Sequence, residues 1–163
     1  MADETGTQTA QTIRLLKIIT VAMVASLVLY LVGVIVVIEN YGPLVPGINE
    51  YHTIVLTLMM TFAFIFLLVG KKILADGINK AKNSLKSDSD KLNIFRKSFV
   101  LYLLVTETPA WITLTLYLLT GSFPFLALAA VLLGLILSSW PRGKKISGQL
   151  ELNWEEQAEF TKK

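Results

Sequence analysis

Glu107 is the single charged residue between Ser98 and Pro141, and it is where this sequence can do chemistry. It follows Ser98 by nine residues, about 14 Å of helix, which sets it near the middle of an apolar run. An ionised carboxylate there is costly, and the usual remedies are protonation, a paired cation or a water-filled path. The apolar runs contain no Lys or Arg to pair with it, so the carboxyl is expected to be protonated at rest, or to face a cation or another subunit. Pro109 lacks the N–H that the Val105 carbonyl needs, which predicts a kink beside the acid. Thr106 and Thr108 flank the acid, and Thr106, Ala110, Thr113 and Tyr117 recur at helical spacing on an adjoining face. Glu107, Thr106, Thr108 and Pro109 are the candidate ion- or proton-handling residues. Three roles stand for the carboxyl: ion handling, a structural hydrogen bond within a bundle, and a contact to another subunit.

The elements that must position Glu107 follow from where the charges lie. The chain has 163 residues, 53% apolar and 17% charged, with a mean hydropathy of +0.59. Residues 18–38, 51–70, 98–120 and 123–140 form four apolar runs, each able to cross a hydrocarbon core of about 30 Å. The uncharged stretch from Thr108 to Pro141 has 34 residues, about 51 Å of helix and too long for one span. Thr120-Gly121-Ser122-Phe123-Pro124 divides it with a tight turn. Gly42-Pro43 and Pro46-Gly47 divide the first pair in the same way. The predicted fold is an all-α integral membrane protein with four transmembrane helices as two antiparallel hairpins. Residues 1–12 are expected to be disordered, 13–140 to form the transmembrane domain, and 141–163 to be a tail.

Lys and Arg number two before the first span, none in the first loop, eight in residues 71–97, none in the third turn and five after Trp140. All therefore fall on one face, and the positive-inside rule places both termini and the middle loop in the cytoplasm, N-in and C-in. The expected location is the cytoplasmic membrane, inner or plasma. Residues 18–38 read as a retained anchor and not a signal peptide, because Val37-Ile38-Glu39-Asn40 is no cleavage site. Tyr41, Tyr51, Phe123, Tyr102 and Trp140 are placed as interfacial anchors. In the middle loop Leu74, Ile78, Ala81 and Leu85 recur at helical spacing, predicting a cytoplasmic amphipathic helix. Lys71, Lys72, Lys80, Lys82 and Lys86 on its other side suit anionic lipid headgroups. With one Arg and one Phe, that loop offers no nucleic-acid reader.

Some pattern repeats. Ser26-Leu27-Val28-Leu29-Tyr30-Leu31 is echoed by Thr113-Leu114-Thr115-Leu116-Tyr117-Leu118, and Gly70-Lys71-Lys72-Ile73 by Gly143-Lys144-Lys145-Ile146. This pattern suits a duplicated two-helix unit in which Thr20 stands where the second copy has Glu107. Ala127, Ala130, Gly134 and Ser138 form a small-residue stripe expected to pack helices, inside the bundle or at a dimer seam. Thr53, Thr57 and Thr61 form a ridge suited to hydrogen bonding with neighbouring helices. In the acidic tail, Asn153 and Glu156 have capping-box-like spacing before a short helix over 154–160. His52 reads as a polar interface residue.

The segment Glu107-Thr-Pro-Ala110-Trp-Ile112-Thr-Leu-Thr-Leu116-Tyr-Leu118-Leu-Thr-Gly121 resembles the carboxylate helix of the proteolipid c subunit of rotary ATP synthases. It also resembles a helix of uncharacterised four-span bacterial membrane proteins. The resemblance implies that Glu107 carries a proton or a sodium ion. It departs from the c-subunit pattern where Phe62, Phe64 and Phe66 replace a glycine repeat, where no Arg-Gln-Pro-like turn precedes the acid, and at Pro109 and Trp111.

Other chemistry is narrowed by composition. There is no Cys and one His, which removes disulfides, thiol nucleophiles and Cys-ligated metals. No Ser-His-Asp set, phosphate loop or paired intramembrane acids appear, so no enzyme, metal or cofactor is expected. The partners expected are the lipid bilayer and either further copies of the chain or a larger membrane complex. The competing functions are ion handling through Glu107 and a non-catalytic accessory subunit.

Overall fold

The computed structural model describes residues 2–45, 52–84 and 88–141. They form four helices in chain order, α1 (Ala2–Tyr41), α2 (His52–Lys82), α3 (Asp88–Thr120) and α4 (Phe123–Ser138), with no strand among the described residues. Residues 11–41 of α1, 53–82 of α2 and 90–120 of α3 are each long and apolar enough to cross a membrane. Helix α4 has 16 residues, about 24 Å, and ends two residues short of the expected span.

The ends of α1 and α3 use one device. Gly42 (φ 76°) and Gly121 (φ 65°) adopt the left-handed conformation, and their N–H groups donate to Ile38 O at 2.9 Å and Tyr117 O at 2.7 Å. A residue with a Cβ enters this region at a cost, so glycine closes both helices. The chain after Gly42 then closes the end of α3, as the N–H groups of Leu44 and Val45 donate to Leu118 O at 3.3 Å and Leu119 O at 2.9 Å. These carbonyls belong to the last turn of α3, which has no partners of its own. Ser122 precedes α4 in an extended conformation, and Pro124 stands in its first turn, where a missing N–H is harmless.

The chain packs as two units. The described residues of one lie within Met1–Val21, Gly70–Tyr102 and Trp140–Lys163. Its core includes Ile13, Leu16, Ala81, Leu92, Phe95 and Phe99. Thr20, fully buried, donates to Leu16 O at 2.9 Å. Phe95 and Phe99 stack with ring centroids 5.8 Å apart, and Tyr102 follows at 6.0 Å from Phe99. In the same unit α2 and α3 approach closely at Gly77, where a Cβ would run into Cβ and Oγ of Ser98.

The second unit comprises Ala22–Val69 and Leu103–Ser139. Leu27, Val34, Ala63, Leu114, Phe125 and Leu132 are among its buried residues. Large apolar side chains including Leu29, Ile54, Leu58, Phe64 and Val131 lie on its outside. Water would penalise so much apolar surface, whereas lipid tails cover it.

Several expectations differ from this architecture. Helix α1 begins at Ala2, so residues 2–12, expected to be disordered, are helical and run into the first apolar helix, although Gly6 and four threonines are weak helix formers. Residues 71–82 extend α2 and residues 88–97 open α3, so among the described residues the middle loop holds no separate amphipathic helix. Lysine favours helix, and nothing between Gly70 and Lys82 breaks one. Ala81 is fully buried and Leu74 and Ile78 are half-buried, so this apolar face packs on protein. Tyr102 is buried beside Phe99 and is no interfacial anchor.

Lys71, Lys72, Lys80 and Lys82 are exposed. Lys86, Tyr51, the side chain of His52 and the features of the tail from residue 142 onward lie outside the described residues.

Candidate functional site

Glu107 belongs to the buried face of α3, together with Thr106, Pro109, Ala110, Thr113 and Leu114. The carboxyl residue is 7% exposed. Pro109 is inside α3, which continues as a single helix on either side of it. The buried hydroxyl of Thr106 donates to Leu103 O at 3.0 Å and that of Thr113 to Pro109 O at 2.6 Å. Thr108 is exposed and donates to Leu104 O at 2.9 Å. Of the four candidate residues, Glu107, Thr106 and Pro109 therefore share the interior, while Thr108 faces out.

The sequence reading missed the direct partner of the acid. Trp111 Nε1–H donates to Glu107 Oε1 at 2.9 Å, one turn along the same helix. The Tyr30 ring of α1 meets the Trp111 ring with centroids 4.8 Å apart and planes at 38°. The Tyr30 hydroxyl and Thr115 Oγ1 are 3.0 Å apart. Thr115 Oγ1–H donates to Trp111 O at 2.9 Å. A hydroxyl has one hydrogen, so Tyr30 is the donor to Thr115. Glu107, Trp111 and Thr115 thus form an i, i+4, i+8 ladder on α3, with Tyr30 laid across its upper two rungs. The i, i+4 spacing from Glu107 to Trp111 was the available signal.

Beyond this ladder and the buried hydroxyls of Thr106 and Thr113 the site is apolar. Leu27, Leu31, Ala110, Leu114, Ala129 and Leu133 enclose a small cavity, on the side of α3 that carries Ala110, one turn after Glu107. Among the described residues no three or more His, Asp or Glu side chains gather as a metal-binding group. The arrangement gives a single buried carboxyl with one fixed hydrogen-bond donor and one oxygen, Oε2, available to carry a proton.

Two other candidate features turn outward. Ala127, Ala130, Gly134 and Ser138 are all exposed, and nothing lies within 4 Å of a Cβ placed at Gly134. The buried residues of α4 are Phe125, Ala129, Leu132 and Ile136. The small-residue stripe therefore does not pack inside this unit, because the bulkier face of α4 takes that place and makes more van der Waals contacts there. Thr53, Thr57 and Thr61 are likewise exposed, and Thr57 and Thr61 donate to carbonyls of their own helix at 2.9 Å.

No family model, curated protein or solved structure matches the chain.

Proposed function

We propose that this is a four-span protein of the cytoplasmic membrane, not an enzyme, that handles a proton or cation through Glu107 in an oligomer or a larger complex. The observation that carries the reading is the carboxyl of Glu107, 7% exposed and hydrogen-bonded to Trp111, in a helix long and apolar enough to span a membrane. A buried ionisable residue at that depth is retained at a cost, which argues for use. The likeness of residues 107–121 to the c-subunit carboxylate helix points the same way. In this reading α4 is the fourth span, its short length met by local thinning of the bilayer and by Phe123 and Trp140 near its ends. The two hairpins have both termini inside, following the distribution of Lys and Arg. The test is proton flux into reconstituted vesicles, comparing wild type with Glu107→Gln. Loss of flux in a folded variant supports the reading, and unchanged flux overturns it.

A second reading, an accessory subunit of a membrane complex, is favoured by the outward-facing stripe on α4. Small residues let another helix approach closely. Gentle solubilisation and native mass measurement decide it: stoichiometric partner proteins support this reading, and a chain found alone or only with copies of itself opposes it.

A further inference from the structure

We propose that the species exchanged at Glu107 is a proton and not a metal cation, and that Trp111 is the residue that positions the carboxyl for it. The proposal rests on the ion-handling reading of Glu107 and names its substrate.

The first argument is the direction of the hydrogen bond. An indole N–H only donates, so Oε1 of Glu107 must accept, across 2.9 Å. A carboxylate accepts through Oε1, and so does the carbonyl oxygen of a protonated acid. Loading a proton on Oε2 therefore leaves the bond to Trp111 in place. The site is complete in both states and needs no rearrangement between them.

A metal cation meets different surroundings. Hard cations such as calcium take about six or more oxygen ligands. Here one of the two carboxyl oxygens already accepts from a hydrogen carrying partial positive charge, which leaves Oε2 alone to meet a cation. Thr106 and Thr113 are buried and donate to Leu103 O and Pro109 O, which leaves their lone pairs and Oε2 as the polar ligands on this face, fewer oxygens than such a cation takes. Thr108 is on the exposed side. The neighbouring cavity is lined by Leu and Ala alone.

Trp111 is itself held in place. Tyr30 stacks on its ring at 4.8 Å, and the Tyr30 hydroxyl is tied to Thr115. Since an indole cannot accept a proton, Trp111 closes the Oε1 side and directs exchange through Oε2. Among the described residues of the same unit the other ionisable groups are Tyr30 and Tyr117, with Glu39, Tyr41 and His52 toward the connection between α1 and α2. Helix α4 brings none.

The test is labelling of Glu107 by a hydrophobic carbodiimide, which modifies protonated carboxyls, followed by mass spectrometry on the full chain in lipid. Labelling of wild type is expected to fall as pH rises, and at fixed pH and ionic strength to be unchanged by sodium, lithium or potassium. Slowing by any of these cations overturns the proton assignment while leaving ion handling intact. Trp111→Phe keeps a ring beside Tyr30 and removes the donor, and is expected to displace the pH midpoint of labelling. An unchanged midpoint in a folded variant, checked by circular dichroism, overturns the positioning role. If Glu107→Gln instead leaves vesicle flux unaltered, the reading beneath the proposal fails separately.

Discussion

Trp111 holds Glu107 from one turn further along α3, its indole N–H on Oε1 at 2.9 Å. The bond satisfies one acceptor of a buried carboxyl, and a buried acceptor left unpaired costs about 1–3 kcal/mol. It also makes the acid part of a ladder whose other end, through Thr115 and Tyr30, is fixed to α1.

Removing rungs of that ladder has graded effects on stability. Trp111→Phe strands the carboxyl and is expected to destabilise the protein by about 1–3 kcal/mol. Tyr30→Phe keeps the ring contact and loses the bond to Thr115, for which about 0.5 kcal/mol is expected, the scale of interhelical hydrogen bonds in membranes. Thermal unfolding in detergent, followed by circular dichroism, measures both. Equal losses would mean that the acid gains nothing from the indole.

Gly121 is required by backbone conformation and by space. Its φ is 65°, and a Cβ there would stand 3.2 Å from Cβ of Pro43. Gly121→Ala is expected to cost about 1–2 kcal/mol. It also loosens the bonds from Leu44 and Val45 to the end of α3, which raises amide exchange at those two positions. Exchange rates like those of wild type would contradict this account of the turn.

Gly77 is required by space alone. A Cβ at this position overlaps Ser98, whose own Cβ cannot swing aside. Gly77→Ala is expected to cost about 1–3 kcal/mol, the usual range for overpacking. Gly77→Ala with Ser98→Gly should recover part of the loss, since the obstructing atoms are gone. A double variant no more stable than Gly77→Ala alone would show that the contact is not the cause.

On α4 the expectation is reversed. Gly134 meets open space, so Gly134→Ala removes a poor helix former without a clash and is expected to stabilise the isolated chain by up to about 1 kcal/mol. Native mass spectrometry of Gly134→Leu checks the outward face separately. Loss of a partner from the complex would mark the stripe as a docking seam, and an unchanged assembly would mark it as lipid-facing.

What the sequence made legible follows from how strongly each property is encoded. The apolar runs and the isolation of Glu107 are one-dimensional facts, and three of the helices contain nearly the whole of the first three runs and extend beyond them. The face that a helix turns inward is less legible where nearly every position is apolar. On α4 periodicity groups Ala127, Ala130, Gly134 and Ser138 correctly, but bulk decides burial, and Phe125 and Leu132 take the inside. The basic segment after Gly70 reads equally as loop or helix from its charge, and the absence of a breaker before Lys82 resolves it as helix. Trp111 registered only as bulk beside the acid, although its spacing from Glu107 is that of a bonded pair. Tyr30 registered only as part of a repeat, because no local pattern announces a contact across 85 residues of sequence.

The most direct test of the central claim is flux through vesicles holding equal amounts of wild type and Glu107→Gln. Glutamine nearly matches the shape of the acid and still accepts from Trp111, but it cannot titrate. The account predicts that Glu107→Gln folds and inserts as wild type does, yet carries no proton flux above protein-free vesicles. Flux equal to that of wild type would contradict it and leave Glu107 a structural residue.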